Sequence, residues 1–390
     1  MQVYLDNAAT TKLDPRVLKK MLPFFAKEYG NASSIHGLGQ SAWSALMGAK
    51  EKVAKLIGGE ASGVIFTSSA TEANNLIIKG VALANKTEKK NKIIISAIEH
   101  PCVVESAKFL AREGFVVEYL PINTEGIVEP ADLEKIIGED TILVSVMAVN
   151  NEIGTIQEIE KLAKIAHQHG AFFHTDAVQA VPYLKLDVKK MGIDFLSLSA
   201  HKFYGPKGVG MAYVNRKIKV KPMIIGGGQE DGLRSGSYNL PGIIGLAAAL
   251  ELAYQERTAY LKKVTALRDY FWKKIQKEIP EVRLNGSLKK RVPANLNIMF
   301  GYIEGEAILM DLTFKGIHVS TGSACSASDL RASYVLKAMG LNKNFLNSNI
   351  RFSFGRFNTR AEVDHTIKAL KGTVKRLRSF SPINWHFGLF

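Results

Sequence analysis

One cysteine in this chain lies in a segment that suits a nucleophile better than a packed side chain. Residues 320–328 read S-T-G-S-A-C-S-A-S, with Cys325 near the middle, and the chain has only two cysteines. A packed cysteine is expected among apolar neighbours, whereas Ser, Gly and Ala impose little conformational preference. The pattern predicts a mobile loop with a reactive thiol, because the thiolate is the nucleophilic form. An idle loop cysteine remains the alternative.

A lysine and an aspartate stand at the ends of two neighbouring predicted strands. Asp176 ends the run A-F-F-H-T-D, and Lys202 follows F-L-S-L-S, 26 positions later (202 minus 176). Ala70 and Thr71 open a predicted helix after the strand V-I-F-T, where free backbone N–H groups can hold a phosphate. Pyridoxal phosphate (PLP) requires a lysine for a Schiff base, an acid beside its ring nitrogen and a phosphate anchor. Together these residues predict a PLP site.

Two further polar residues suit such a site, although each has a simpler interpretation alone. His100 could stack on the cofactor ring, and Gln179 could contact its phenolic oxygen. A lone histidine is more often a satisfied imidazole, and Ser69 with Glu72 has the spacing of an ordinary helix capping box. Neither a GxGxxG nor a GxxxxGK[ST] motif occurs, which disfavours dinucleotide and Walker-type nucleotide sites.

Short apolar runs alternate with amphipathic segments between about residues 63 and 214, which predicts an α/β fold. Near-continuous apolar strands alternating with helices indicate a mostly parallel sheet covered on both faces. The seven predicted strands are V-I-F-T, K-I-I-I-S-A, F-V-V-E-Y-L, T-I-L-V-S-V, A-F-F-H-T-D, F-L-S-L-S and V-G-M-A-Y-V. Ligands bind outside the carboxyl ends of such strands. Five strand ends should therefore converge, at residues 69–72, 99–100, 150–152, 176–179 and 201–202.

A second, smaller αβ unit is predicted after a long helical stretch at about residues 241–277. Its predicted strands lie near residues 295–299, 318–320 and 350–354, with helices near 304–314 and 333–339. A chain of 390 residues exceeds the size at which one core stops growing. We expect a large cofactor-binding domain at residues 12–260 and a small domain at residues 1–11 plus 261–390, which carries the Cys325 loop.

The composition is that of an ordinary soluble globular protein, with 46% hydrophobic and 22% charged residues. Lys plus Arg outnumber Asp plus Glu by 51 to 36, but the basic clusters are scattered and not interleaved with aromatics, so no direct nucleic-acid partner is expected. The two cysteines form no CxxC pair, which fits a reducing compartment. The start lacks the pattern of a signal peptide, and the longest apolar run, residues 242–250, is too short to span a membrane. These features predict a cytoplasmic protein without a membrane partner.

Ordered motifs along nearly the whole chain resemble one family. The sequence is similar to the NifS/IscS-type cysteine desulfurases, which are PLP-dependent transferases of the class-V aminotransferase family with the aspartate-aminotransferase-like fold (fold type I). The resemblance implies a large domain with a mostly parallel seven-stranded sheet and a smaller α+β C-terminal domain. The motifs are Y-L-D-N-A-A-T-T, Y-G-N-A-S-S-I-H, T-S-S-A-T-E-A-N-N, E-H, V-N-N-E-I-G, H-T-D-A-V-Q, S-A-H-K-F-Y-G-P-K-G, G-G-G-Q-E-D-G-L-R-S-G-S, S-T-G-S-A-C and I-R-F-S-F-G-R-F.

The resemblance also implies a role for each matching residue. Lys202 would hold PLP covalently, Asp176 would pair with its ring nitrogen, and His100 would stack on the ring and move protons. Arg351 would bind the substrate carboxylate, since an arginine can pair with a carboxylate through two hydrogen bonds. The implied substrate-binding residues are Asn31, Asn151 and Arg351. The implied cofactor-binding residues are Ala70, Thr71, His100, Asn151, Asp176, Gln179, Ser199, His201, Lys202 and, from the partner subunit of a homodimer, Ser237.

The implied reaction removes sulfur from L-cysteine. Lys202 would take the α-proton, and Cys325, assisted by His100, would attack the sulfur to give L-alanine and a persulfide on Cys325. The family passes this sulfur to an iron–sulfur scaffold protein or to another acceptor, including relays for tRNA thiolation. No resident metal is implied, although Cys325 is a candidate transient ligand of an iron–sulfur cluster.

Ser237, Ala32, Ala200 and Cys102 depart from the family pattern, and two other functions stay open. Ser237 stands where many relatives have Thr, and Cys102, which is atypical, is interpreted as a packed thiol because one His and one Cys are too few ligands for zinc. An aminotransferase or another lyase of this fold would not require Cys325. A non-catalytic nucleic-acid-binding relative would explain the charge of +15 but should have lost Lys202 or Cys325.

Overall fold

A seven-stranded sheet forms the centre of the computed structural model, which describes residues 1–321 and 333–381. Its strands are β2 (Val64–Thr67), β3 (Lys92–Ser96), β4 (Val116–Leu120), β5 (Thr141–Ser145), β6 (Phe172–Asp176), β7 (Phe195–Ser199) and β8 (Gly210–Val214). They lie in the order β2-β8-β7-β6-β5-β3-β4, and only β8 runs against its neighbours. The seven predicted strands and the mostly parallel α/β sheet are confirmed.

Helices cover both faces of this sheet. On one face lie α1 (Pro15–Met21), α3 (Gly37–Leu56), α6 (Pro130–Ile136), α7 (Ile159–Gln168) and α8 (Leu240–Gln255), and on the other α4 (Ala70–Asn85) and α5 (Pro101–Arg112). Strand β3 shows why the strands are apolar throughout: Ile94 packs into one core, whereas Ile93 and Ile95 pack into the other. A short helix, α2 (Pro23–Ala26), follows α1.

A second core lies between a smaller sheet and the C-terminal helices. Strands β9 (Val282–Leu284), β10 (Asn295–Phe300) and β12 (Asn349–Ser353) form an antiparallel sheet in the order β12-β10-β9. Helices α9 (Arg257–Glu278), α10 (Gly305–Phe314) and α12 (Arg360–Ser379) pack against it, and α11 (Tyr334–Ala338) precedes β12. Val3 and Leu5 belong to the same core. This distribution supports the predicted division into residues 12–260 and 1–11 plus 261–390, which stays a prediction.

Two details of the small unit differ from the sequence-based expectation. The long helical stretch is two helices, because Glu256 leaves the helical conformation and its carboxylate pairs with Arg16 and Arg356. The strand predicted near residues 318–320 is β11 (Ile317–His318), which pairs with β1 (Val3–Tyr4), and only Ser320 beyond it bridges to β12. Within the described ranges, no helix is both long and apolar enough to cross a membrane.

Candidate active site

A cavity of about 360 Å³ lies at the carboxyl ends of the parallel strands. It brings together side chains from the five strand ends that the sequence predicts to converge, together with residues of the N-terminal segment and β12. The residues that line it are Ala8, Ala9, Ser69, Ala70, Thr71, His100, Cys102, Met147, Asn151, Asp176, Val178, Gln179, Ser199, His201, Lys202 and Arg351. Most of the predicted site residues therefore share one cavity.

One end of the cavity is the N-terminus of α4. Ser69 caps this helix by accepting a hydrogen bond from the Glu72 N–H at 3.3 Å. The N–H groups of Ala70 and Thr71, in the first turn, have no carbonyl partner within the helix. Gly210 of β8 lies so close that a Cβ there would stand 2.8 Å from the Ala70 nitrogen. Gly210 therefore allows β8 to pack closely against the N-terminus of α4. Such a helix N-terminus suits the binding of a phosphate.

Asp176 occupies the end of β6 and is fixed by two donors. It is only 4% exposed, and its Oδ2 accepts a hydrogen bond from Asn74 Nδ2 at 2.7 Å. Its Oδ1 accepts one from the Val178 N–H at 3.0 Å. A buried carboxylate that is held in this way can face a protonated ring nitrogen without changing rotamer.

Lys202 lies in a short 3₁₀ turn (Ala200–Lys202) directly after β7. Its Nζ donates hydrogen bonds to the carbonyl oxygens of Ala8 at 2.8 Å and Ala9 at 2.7 Å. The neighbouring His201 contacts Thr10 Oγ1 through Nδ1 at 3.1 Å. Burial lowers the pKa of His201 to about 4, and the Lys202 charge contributes to this shift. His201 is therefore neutral beside the lysine at physiological pH.

His100 caps α5, and its ring contacts Cys102. The Cys102 N–H donates to His100 Nδ1 at 3.2 Å, and Cys102 Sγ lies 3.0 Å from the same nitrogen. Burial lowers the pKa of His100; the Asp176 charge opposes this shift and the Lys202 charge supports it. Burial raises the pKa of the Cys102 thiol to about 12. The site thus holds a neutral imidazole and a protonated thiol, and Cys102 is a lining residue that the sequence did not place there.

Glu99, next to His100, is a fully buried carboxyl group. Its Oε1 accepts hydrogen bonds from Ser96 Oγ and from the Met147 N–H, both at 2.6 Å, whereas its Oε2 has no partner among the described residues. Burial raises the pKa of Glu99 from 4.5 to about 8. The folded protein therefore keeps a proton that the unfolded chain releases above about pH 4.5.

We expect Glu99→Gln to gain stability relative to the wild type as the pH rises from 5 to 8. The raised pKa makes the wild type lose folding free energy over this window, on the order of 1 kcal/mol per pH unit, and glutamine cannot ionise. Thermal unfolding midpoints at both pH values measure the difference. Glu134→Gln, at an exposed site, is the control. A difference between Glu99→Gln and wild type that stays constant with pH would contradict this expectation.

Arg351 of β12 enters the cavity from the small sheet and is 3% exposed. Its Nη2 lies 2.7 Å from Asp6 Oδ1, and its Nη1 donates to the Asn151 carbonyl oxygen at 2.9 Å. Its Nε is buried without a partner among the described residues. An unsatisfied guanidinium N–H is costly to bury, so this group is well suited to receive a ligand carboxylate.

The remaining predicted residues divide into those inside the cavity and those outside it. Gln179, Ser199 and Asn151 line the cavity, and Gln179 Nε2 donates to the Ala8 carbonyl oxygen at 2.8 Å. Asn31 is exposed and accepts a hydrogen bond from the Ser33 N–H, so its side chain makes a contact within its own turn and not in the cavity. Ser237 is exposed and is not part of the lining. Cys325 lies outside the described residues, and the roles of all these residues stay predictions.

Besides Cys102, further features of the site were not predicted from the sequence. The N-terminal segment contributes Ala8 and Ala9 to the lining, and Asp6 pairs with Arg351. Asn74 donates to Asp176 from the second turn of α4. The position of Asn74 could have been predicted, because it lies four positions after Ala70 and therefore on the same face of the helix.

The residues of the cavity fit PLP. The helix end offers a phosphate anchor, Asp176 offers a fixed carboxylate, and Lys202 offers a primary amine within the same enclosure. The buried Nε of Arg351, which has no partner in residues 1–321 and 333–381, offers a place for the carboxylate of an amino acid.

Comparisons with known proteins agree with this geometry. Residues 3–366 match the model of the aminotransferase class-V family. The chain is 47% identical over 381 residues to the cysteine desulfurase IscS of Dictyoglomus turgidum, covering 98% of this chain and 96% of the relative.

Solved structures give the same result. A NifS-like protein superposes with a TM-score of 0.91 at 40% identity, covering 97% of this chain and all of the other. SspA in complex with cysteine superposes with a TM-score of 0.81 at 35% identity, covering 92% of this chain and all of the other. The chain therefore belongs to the class-V aminotransferase family and, within it, to the cysteine desulfurases.

Proposed function

We propose that this protein uses PLP to remove sulfur from L-cysteine, giving L-alanine and a persulfide on Cys325. The observation that carries the proposal is one cavity in which a lysine amine, a buried aspartate, a helix N-terminus and an arginine converge; the Nε of this arginine has no partner in the described part of the chain. The cysteine desulfurases to which the chain is similar support the choice of substrate.

Lys202, Asp176 and the start of α4 would hold the cofactor. PLP bound there would supply an electron sink that lets the α-proton of an amino acid leave. Asp176 would accept a hydrogen bond from the ring nitrogen, and the Ala70 and Thr71 N–H groups would bind the phosphate, joined by Ser199 and His201. Once its Nζ is free, Lys202 would take the α-proton and return a proton to the product.

Arg351 would orient the substrate by its carboxylate. The Nε–H and a remaining Nη hydrogen form the two-pronged donor that pairs with a carboxylate. Nη1 is held by the Asn151 carbonyl oxygen and Nη2 by Asp6, so the guanidinium has a fixed plane. This orientation would direct the substrate's α-carbon towards Lys202 and leave its sulfur accessible.

The sulfur step conserves atoms and electrons without an outside oxidant. The Cys325 thiolate would attack the sulfur of the substrate, and the bond between that sulfur and Cβ would break. The electron pair would stay with the three-carbon fragment, which gains protons and leaves as L-alanine. The outer sulfur of the persulfide would then pass to an iron–sulfur scaffold protein or another sulfur acceptor.

The proposal includes a homodimer in the cytoplasm. Ser237 is exposed in this chain and lies outside its own cavity lining, which supports a role at the phosphate site of the partner subunit. The low number of cysteines supports a reducing compartment.

Incubating the purified protein with PLP, L-cysteine and a thiol reductant tests the function. We expect L-alanine and sulfide in equal amounts, because each turnover moves one sulfur to Cys325 and reduction releases it. In a parallel reaction with added 2-oxoglutarate as amino acceptor, a keto acid formed from L-cysteine in place of L-alanine would identify an aminotransferase, whereas pyruvate, ammonia and sulfide without an acceptor would identify a different lyase. Either result would overturn the proposal.

We expect Arg351→Lys to raise KM for L-cysteine about 100-fold, equivalent to about 2.7 kcal/mol. Lysine keeps the charge, and thus a partner for Asp6, but it cannot form a two-pronged contact with the carboxylate. Steady-state kinetics measure the change, with cysteamine, which lacks the carboxylate, as the comparison substrate. A variant that lowers the rate with both substrates equally would show that Arg351 does not act on the carboxylate.

A further inference from the structure

The Arg351 guanidinium has a carboxylate partner within the chain. Asp6 Oδ1 lies 2.7 Å from Arg351 Nη2, and the Asp6 side chain is 18% exposed. Burial raises the pKa of Glu152, a second carboxyl group that interacts with the Arg351 charge, although that charge opposes the shift. Lys202 donates to the carbonyl oxygens of Ala8 and Ala9. Asp6 is therefore the carboxylate in direct contact with the Arg351 guanidinium.

The position of Asp6 is fixed by the backbone of the strand that carries Arg351. Asp6 forms a parallel bridge with Ser353, two residues after Arg351 on β12. The Ser353 N–H donates to the Leu5 carbonyl oxygen at 2.7 Å, and the Asn7 N–H donates to the Ser353 carbonyl oxygen at 3.3 Å. The two charges are thus held together by secondary structure, unlike a pair of mobile surface side chains.

We propose that Asp6 is a resident counter-ion that limits how tightly the cavity holds a carboxylate ligand. This inference rests on the proposed function, in which Arg351 binds the substrate carboxylate. An amino acid that reaches Arg351 brings a second negative charge close to Asp6, and like charges in a partly buried site repel each other strongly. Because L-alanine carries the same carboxylate as L-cysteine, the repulsion also favours release of the product.

Replacing Asp6 with asparagine separates its charge from its hydrogen bond. Asparagine retains an oxygen that accepts from Arg351 Nη2, so the guanidinium keeps its orientation, but the negative charge is gone. We expect Asp6→Asn to lower both the Kd of the holoenzyme for L-alanine and the KM for L-cysteine about tenfold. Product inhibition by L-alanine should increase by a similar factor.

Isothermal titration calorimetry of the holoenzyme with L-alanine measures the binding change without any sulfur chemistry. Asp140→Asn is the matched control, because it removes the same charge from a partly exposed ion pair with Lys92 away from the cavity; its Kd should equal that of the wild type. Asp6→Ala also lacks the charge and should tighten L-alanine binding. It is the variant to measure if Asp6→Asn does not fold. Unchanged or weaker binding in the folded Asp6 variants would overturn the assignment.

The outcomes separate this inference from the proposed function. If the wild type binds L-alanine but makes no sulfide, the proposed function fails, whereas tighter binding by Asp6→Asn still supports the role of Asp6. If the wild type makes sulfide and Asp6→Asn binds L-alanine no more tightly, only the role of Asp6 fails. A wild type that neither binds L-alanine nor makes sulfide would overturn both.

Discussion

Lys202→Ala is expected to lower the rate of L-alanine formation at least about a thousandfold. The amine has two tasks in the proposed reaction, to attach the cofactor and to carry the α-proton, and alanine can perform neither. Removing a positioned acid–base group alone typically costs 10² to 10⁴ in rate, and loss of the covalent link adds to that cost. No other lysine lines the cavity within the described residues.

Borohydride trapping gives an independent measurement on the same variant. In the wild type, reduction should leave the cofactor on the peptide that contains Lys202, as detected by mass spectrometry, whereas Lys202→Ala should leave every peptide unmodified. Lys217→Ala, at an exposed position after β8, is the control and should retain both attachment and rate. A Lys202→Ala protein with a rate within tenfold of the wild type would contradict the proposed mechanism.

The sequence predicted the part of the site that depends on local patterns. Buried strands have a distinct apolar pattern, and parallel strands bring their carboxyl ends to one edge, so Asp176 and Lys202 could be placed together from residues alone. In the structure, β6 and β7 pair directly, with Asp176 opposite Ser197. The strand ends at His100 and Asn151 line the same cavity for the same reason.

The N-terminal contribution could not be predicted in this way. Asp6 and Arg351 are 345 positions apart, and β1 has only two residues, too few to show an alternating pattern. The Asp6–Arg351 pair forms only because the N-terminal segment packs against the small unit. No local sequence pattern predicts that packing. Cys102 was missed for another reason: it was predicted to be a packed thiol, but the side of α5 that faces the cavity was not predicted.

The described residues on both sides of the segment that carries Cys325 contact residues in the cavity lining or next to it. Ser320 exchanges backbone hydrogen bonds with Arg351, at 2.6 and 3.3 Å. On the other side, Ser333 Oγ donates to Glu152 Oε2 at 2.5 Å, and the Tyr334 hydroxyl donates to the Glu99 carbonyl oxygen. The five residues that lead from Ser320 to Cys325 can span at most about 18 Å. The chain length therefore allows Cys325 to reach the cavity beside Arg351.

Cys325→Ser should consequently lower sulfide and L-alanine formation at least about a thousandfold while the cofactor remains attached at Lys202. A serine hydroxyl is a far weaker nucleophile towards sulfur than a thiolate and cannot hold a persulfide. Mass spectrometry after one turnover without reductant should find one additional sulfur atom on the wild-type peptide that contains Cys325. The trapping experiment with borohydride should give the same result for this variant as for the wild type.

Cys102 provides the comparison, because it is a second thiol that lines the same cavity. Its pKa is raised to about 12 by burial, so it stays protonated near neutral pH and should not accept sulfur. In Cys102→Ser, the additional sulfur atom should still appear on Cys325. If Cys325→Ser formed L-alanine and sulfide at the wild-type rate, or if the additional sulfur were found on Cys102, the assignment of Cys325 as the sulfur carrier would be wrong.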